Sequence, residues 1–250
     1  MRGTHGYDPY NGYGGAITVL KHTQPGAARV GNNTLLGGNS TGIFVRDDYN
    51  VLIRDNLLED FTGKTPGFTG EGIHIISGIP VAVVSNTVRD CDIGIRVRRG
   101  TGHDLTRNTL ENLTLSRPTI GLYLSDTYGL VGANVHDNNT FSGFTYGVFL
   151  GSASVALADF TMEWNDVTGT PAGGQAFRVE GILPGPDYFH AECNWWGHWN
   201  GPDDDNLGPP DYWNNDPGQD VGDYFYFRDP SDNIPYWLDQ PPLLETECSP

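Results

Sequence analysis

Three side chains that can move protons or hold carboxylates recur at equivalent places in this sequence. His74, Arg96 and Tyr123 each stand two residues after a glycine, and Phe44 and Phe149 hold the same place in two more copies of the phrase. An imidazole, a guanidinium and a phenol could remove a proton next to a carboxylate and stabilise the resulting enolate. These three residues are therefore the candidate catalytic group.

The same row of side chains also suits binding without catalysis. Aromatic faces pack on sugar rings, and arginine holds carboxylates through paired hydrogen bonds. Arg96, Arg98 and Arg99 form a basic island in an acidic chain, which points to an acidic glycan as the ligand. The predicted ligand-binding residues are Phe44, His74, Arg96, Arg98, Tyr123 and Phe149. The competing interpretation is a solvated strand face whose aromatic residues only stabilise cross-strand packing.

The phrase that carries these residues is repeated with variable spacing. Its glycines fall at positions 42, 72, 94, 121 and 147, so successive copies are 22 to 30 residues apart. An asparagine follows at an equivalent place in each copy, namely Asn56, Asn86, Asn108, Asn139 and Asn165. A fixed phrase with variable spacing indicates a repeated core with connecting loops of different length.

Each phrase alternates apolar and polar residues. Ile95 and Val97 fall on one side, and Arg96 and Arg98 on the other, which is typical of a strand with one buried face. One coil cannot bury its apolar face alone, but stacked coils can, with each strand parallel to its equivalents. Gly and Asn tolerate the left-handed backbone of bends. Stacked asparagines can also hydrogen-bond as a ladder. The sequence predicts an all-β parallel β-helix of about six or seven coils.

Composition narrows the possible partners. The 250-residue chain carries a net charge of −17, which disfavours nucleic acid and anionic membranes and is compatible with cation binding. It contains no apolar run long enough for a membrane span. The three cysteines are an odd number, and we expect Cys193 to pair with Cys248.

Three regions follow from these patterns. Residues 1–14 are predicted to form an irregular arm, residues 15–192 the parallel β-helix, and residues 193–250 a capping segment rich in aromatic residues. An acidic cluster in the last region could bind Ca²⁺ through Asp203, Asp204 and Asp205, and the alternative is a solvated acidic tail. Loops that interrupt the coils at residues 61–70 and 116–118 are expected to share one corner.

The repeat resembles the right-handed parallel β-helix of pectate-lyase-like proteins and of bacterial and archaeal surface proteins. Asn194-Trp195-Trp196-Gly197, followed by Gly201-Pro202, is similar to the segment that closes β-helix surface proteins. The resemblance implies an extracellular or cell-surface location. It leaves the activity open, because this fold hosts lyases, hydrolases, epimerases, adhesins and structural modules. The Gly-His-Gly segment of polygalacturonases is absent from the sequence, as is the strand-borne acidic calcium cluster of pectate lyases.

Two functions remain as expectations. The first is a non-catalytic extracellular or cell-surface module with a structural, self-assembling or carbohydrate-binding role, whose partners are acidic polysaccharide or other copies of itself. The second is a polysaccharide lyase, epimerase or hydrolase acting on an acidic glycan. Four asparagines, Asn32, Asn39, Asn112 and Asn138, also stand in Asn-X-Ser/Thr sequons, which matter if the chain is extracellular.

Overall fold

The computed structural model describes residues 6–7, 14–20, 28–46, 50–63, 69–114, 117–125, 130–151, 160–171, 174–179 and 194–195. The regular elements in these ranges are all β-strands. The first ten are β1 (Gly6–Tyr7), β2 (Gly14–Leu20), β3 (Arg29–Gly31), β4 (Thr34–Gly38), β5 (Thr41–Arg46), β6 (Val51–Arg54), β7 (Leu57–Phe61), β8 (Glu71–Ile76), β9 (Val81–Val84) and β10 (Thr87–Arg89). The second ten are β11 (Ile93–Val97), β12 (Gly100–Thr106), β13 (Thr109–Glu111), β14 (Ile120–Leu124), β15 (Val131–His136), β16 (Thr140–Ser142), β17 (Tyr146–Leu150), β18 (Thr161–Met162), β19 (Asp166–Thr168) and β20 (Gln175–Val179).

Three sheets run along the molecule. Their strand orders are β1-β2-β5-β8-β11-β14-β17-β20, β3-β6-β9-β12-β15-β18 and β4-β7-β10-β13-β16-β19, called here the first, second and third sheet. Each strand pairs in parallel with its equivalents in neighbouring coils, and β1 is antiparallel to β2. In the described part of the chain, six coils therefore give one strand to every sheet, and β20 belongs to the coil that follows them. The predicted all-β parallel β-helix is confirmed.

The core lies between the three sheets and is built from stacked rows of inward-facing side chains. Ile73 and Ile75 of β8 are fully buried, and they stack on Ile95 and Val97 of β11. Burying one such side chain contributes roughly 1.5–3 kcal/mol. Stacking thus supplies the apolar burial that a single coil lacks.

The glycine that opens each phrase is required for space. A Cβ on Gly94 would lie 2.6 Å from the carbonyl oxygen of Gly121 and 2.7 Å from Cδ2 of Leu110. The left-handed turn is made elsewhere, by the residue before a ladder asparagine, where φ is 54° to 64°. These turn residues are Asn32, Asp55, Ser85, Arg107, Asn138 and Trp164. The glycines and the bends therefore solve separate geometric problems.

The predicted asparagines form a hydrogen-bonded ladder at the bend between the second and third sheets. Both the backbone N–H and Nδ2 of Asn108 donate to Oδ1 of Asn139 at 2.9 Å, and Nδ2 also donates to the carbonyl of Val83 at 2.8 Å. The other four predicted residues bond in the same way to the next coil. Asn33 and Asn194 extend the ladder at its two ends.

Most residues of the two predicted terminal regions lie outside the described part of the chain. Of the predicted arm at 1–14, the structure describes Gly6–Tyr7 and Gly14. Of the predicted capping segment at 193–250, it describes Asn194 and Trp195, and Trp195 forms a parallel bridge with Asp166. No helix in the described part of the chain is long and apolar enough to cross a membrane.

Candidate functional site

The outer face of the first sheet brings the candidate residues into one row. The strand register places Phe44 beside His74, His74 beside Arg96, and then Tyr123 and Phe149 in turn. We call this set the outer row, and with its two ends it consists of Thr18, Phe44, His74, Arg96, Tyr123, Phe149 and Arg178. Because hydrogen-bonded strands lie about 4.8 Å apart, each side chain meets the next one along the row.

Glu71 joins this row and was missed by the sequence analysis. Nδ1 of His74 lies 2.6 Å from Oε2 of Glu71, and Nη1 of Arg96 donates to Oε1 at 2.9 Å. The hydroxyl of Thr41 donates to Oε2 at 3.0 Å. The available signal was a carboxylate directly before the repeated glycine, where other copies carry Thr, Ile or Tyr.

The charges in this cluster favour an ionised glutamate and a neutral histidine. Burial alone would raise the pKa of Glu71, but the hydrogen bond from His74 and the positive Arg96 outweigh burial and hold the pKa at about 2. Burial lowers the pKa of His74, and the opposing effect of Glu71 does not restore it. A neutral imidazole that donates Nδ1–H to Glu71 carries its lone pair on Nε2. That is the tautomer a general base requires.

Exposure divides the outer row into two halves. Phe44 and His74 are 0% exposed although they lie on an outward-facing strand surface, and the edge of one ring faces the other at 5.3 Å between centroids. The side chain of Arg96 is 19% exposed, and Tyr123 and Phe149 are also half-buried. Solvent therefore reaches the row from Arg96 to Arg178 and, at the other end, at the half-buried Thr18, but it does not reach Phe44 or the candidate base His74.

The aromatic residues of the accessible half pack on one another. The rings of Tyr123 and Phe149 stack at 5.0 Å with an angle of 15° between planes. Arg96 covers Tyr123 at 5.0 Å, and Arg178 covers Phe149 at 5.3 Å and Tyr146 at 4.6 Å. A cation thus closes each end of the stack. Because both faces of Tyr123 are covered, a ligand meets ring edges and guanidinium groups rather than open ring faces.

The predicted basic island is only partly accessible. Arg98 is 6% exposed, whereas Arg99 is exposed. Arg96 spans the two halves of the row, because Nε donates to the hydroxyl of Ser125 at 3.2 Å while Nη1 bonds Glu71. Its use for an acidic ligand would therefore be shared with an internal carboxylate.

Next to this cluster lies the corner at which the chain passes from the third sheet to the first. Hydrogen bonds and an ion pair join the loops at this corner. Oδ2 of Asp92 accepts hydrogen bonds from the backbone N–H groups of Gly63, at 2.6 Å, and Gly70, at 2.8 Å. Arg117 pairs with the other oxygen of Asp92 and donates to the carbonyl of Gly63 at 3.4 Å. The described residues Gly63 and Gly70 of the first predicted loop and Arg117 of the second therefore meet at one corner through Asp92.

Several predicted residues fall outside the described part of the chain. They are Asp203, Asp204 and Asp205 of the predicted Ca²⁺ site and Cys193 and Cys248 of the predicted disulfide. Within the described ranges, no group of three or more His, Cys, Asp or Glu side chains could hold a metal ion. Cys91 lies inside these ranges as a free thiol, and burial raises its pKa to about 12.

Comparison with known proteins places the chain in a family. No curated protein and no solved structure matches it. A family profile described as the right handed beta helix region matches residues 16–179. The match covers more than half of the 250 residues and coincides with the three stacked sheets. On the repeat, the sheet topology and this match, the chain belongs to the right-handed β-helix family.

Proposed function

We propose that this chain is a non-catalytic, extracellular β-helix module that binds acidic polysaccharide on the accessible half of its outer row. The observation that carries the proposal is the exposure pattern of the row. Its reachable part is an aromatic stack with Arg96 at one end and Arg178 at the other, and His74 lies beyond the reach of solvent. A surface with cations and ring edges, from which the candidate base is shielded, suits retention of a polymer better than turnover.

The electrostatic setting supports an acidic ligand. The chain as a whole has a net charge of −17, so a general attraction to anions is excluded. Binding of a uronate polymer must then depend on individual guanidinium groups, and the outer row has two, Arg96 and Arg178, at the two ends of its aromatic stack. A charge-assisted hydrogen bond from arginine to a carboxylate contributes about 1.5–3 kcal/mol.

The test compares binding of the purified chain to a polyuronate and to a neutral glucan by titration calorimetry. Arg178→Gln is expected to weaken polyuronate binding about tenfold, which corresponds to about 1.4 kcal/mol. Arg54→Gln is the matched control, since it removes the same charge from an arginine that is 40% exposed on the second sheet. Equal effects of the two substitutions, or equal affinity for both glycans, would contradict the proposal.

One observation favours catalysis as the second candidate function. The Glu71–His74 pair holds a neutral imidazole in the tautomer of a general base, with Arg96 and Tyr123 on the adjacent strands. In that function, His74 would remove a proton next to the carboxylate of a uronate, and Arg96 would stabilise the enolate. The reaction would first require His74 to become accessible.

This second function predicts product. Incubation with polyuronate would generate unsaturated ends, read by ultraviolet absorbance, or new reducing ends. His74→Gln would abolish product formation, while Arg178→Gln would retain it at saturating polymer. Absence of product over a prolonged incubation, together with retained binding, would leave the non-catalytic module as the function.

A further inference from the structure

Four sequons lie in the described part of the chain, and their environments differ. Asn32, Asn39 and Asn138 are exposed, whereas Asn112 is half-buried. Nδ2 of Asn112 donates to the hydroxyl of Thr119 at 3.2 Å and to the carbonyl of Gly143 at 2.9 Å. Both hydrogens of that amide are therefore in use inside the fold, and a sugar on this nitrogen would break a contact between coils.

The three exposed asparagines also differ in how accessible the hydroxyl residue at the third position of the sequon is. Thr34, which completes the sequon of Asn32, is exposed, and Thr140, which completes that of Asn138, is half-buried on the outer side of the third sheet. Thr41, which completes the sequon of Asn39, is 4% exposed and donates its hydroxyl to Glu71. A transferase that reads the hydroxyl as well as the amide would find both at Asn32 and Asn138 alone among the four.

These two asparagines also occupy equivalent positions in the solenoid. Each is the left-handed residue directly before a ladder asparagine, with φ of 58° at Asn32 and 64° at Asn138. Four coil steps separate them, which is about 19 Å at the usual strand spacing. Both lie at the bend between the second and third sheets, the bend that does not border the first sheet.

We propose that Asn32 and Asn138 are N-glycosylation sites, and that their glycans project from the edge of the solenoid opposite the outer row. In the modification, Nδ2 forms a bond to the anomeric carbon of a lipid-linked oligosaccharyl pyrophosphate. The bond from that carbon to the pyrophosphate breaks, the lipid pyrophosphate leaves with the electron pair, and the amide proton passes to a base of the transferase. Glycans placed there leave the outer row uncovered.

This inference rests on the extracellular location given under the proposed function, but its test is separate. The folded chain, an oligosaccharyltransferase and a lipid-linked oligosaccharide are incubated with a sequon peptide as internal standard, and site occupancy is mapped by mass spectrometry. Occupancy at Asn32 and Asn138 is expected to exceed that at Asn39 and Asn112 at least tenfold. Thr34→Ala and Thr140→Ala should each remove one glycan and leave the adjacent ladder asparagine intact.

Two results would overturn the assignment. One is glycosylation of the standard sequon peptide in a reaction that leaves Asn32 and Asn138 of the folded chain unmodified. The other is equal occupancy at Asn112 in the folded chain. Polyuronate affinity measured on the glycosylated chain is expected to be unchanged, because the glycans and the outer row lie on different sides. If the unglycosylated chain does not bind polyuronate, the proposed ligand is wrong, but the assignment of the two glycosylation sites is unaffected.

Discussion

The asparagine ladder and the outer row are both stacks of side chains in strand register, yet they are built differently. The ladder repeats one residue, and each copy makes the same bonds to the next coil, as Asn86 does to Asn108 and Asn108 to Asn139. The outer row changes residue at every coil, from Phe44 through His74 and Arg96 to Tyr123. Its bonds are local pairs rather than a repeated pattern.

The difference distinguishes residues that the fold requires for stability from residues that are available for ligand binding. A ladder position inside a bend has buried polar atoms that only one amide geometry can satisfy, so every coil has the same solution. The outer row has no hydrogen bond that recurs in every coil, so its side chains can differ. Stability should therefore be sensitive to the ladder, and ligand binding to the accessible outer row.

The largest effect is expected within the ladder. Asn108→Ala removes an acceptor of two hydrogen bonds from Asn86 and the donor to Val83, and the partners become buried and unsatisfied. Since each unsatisfied group costs about 1–3 kcal/mol, the free energy of unfolding should fall by about 4 kcal/mol. Denaturant unfolding measures it. Asn134→Ala, at a half-buried position on the second sheet, is the control and should cost under about 1 kcal/mol.

The second largest effect is expected from acid, which should destabilise the buried part of the outer row around Glu71 and His74. The pKa of Glu71 is held at about 2, below its ordinary 4.5, so its stabilisation is present above pH 4.5 and is lost as the pH falls toward 2. The loss is about 3 kcal/mol. The pKa values of His74 and His103 lie below their ordinary 6.5, so stability also falls as the pH drops below 6.5, where the unfolded chain binds these protons.

A carboxylate–arginine ion pair that is accessible to solvent serves as the control for the acid effect. The stability difference between wild type and Glu71→Gln should shrink as the pH falls from 4.5 to 2. Glu111→Gln disturbs a pair with Arg89 on the third sheet, where the two side chains are 25% and 41% exposed, and should have little effect at any pH. A Glu71→Gln difference that is constant with pH would contradict the assigned ionisation.

A smaller effect is expected at the repeated glycine. Gly94→Ala places a methyl group 2.6 Å from a backbone oxygen of the next coil, and overpacking of this kind costs about 1–3 kcal/mol. Gly78→Ala is the matched control, because its nearest contact is 3.6 Å away on the flexible side chain of Arg99. Thermal and denaturant unfolding of the pair should differ, and equal stability would refute the spatial explanation.

The smallest effect is expected in the aromatic stack. Tyr123→Leu removes a ring held between Arg96 and Phe149, and such contacts contribute about 1 kcal/mol beyond apolar burial. Unfolding should show this modest loss, while polyuronate affinity should fall more than stability does. An unfolding loss comparable to that of Asn108→Ala would mean that the outer row is as structural as the ladder.

The fold could be predicted from the sequence because one physical requirement recurs in every coil. Asn108 and its equivalents, and the phrase around Gly94, are identical solutions to identical constraints, so the repeat alone indicates the fold. Glu71 escaped notice because it occurs in one coil only, and its meaning depends on His74 and Arg96 from different parts of the chain. The burial of His74 was equally unpredictable, since strand alternation places that side chain outward.

Asn194 shows the same limit at the end of the solenoid. Its sequence neighbourhood is similar to a closing segment, but its amide accepts from Asn165 and continues the ladder. A spacing of 29 residues from Asn165 lies within the range of the other repeats, so the signal was present in the ladder period rather than in the local motif.

The most direct test of the account is hydrogen exchange of the chain with and without a saturating polyuronate, with product analysis of the same samples. We expect added protection in β11, β14, β17 and β20 of the first sheet, unchanged exchange at the asparagine ladder, and polymer of unaltered length. Shortened or unsaturated polymer would make the Glu71–His74 pair an active site. Protection confined to the second or third sheet would place the ligand on another face and contradict the proposed binding surface.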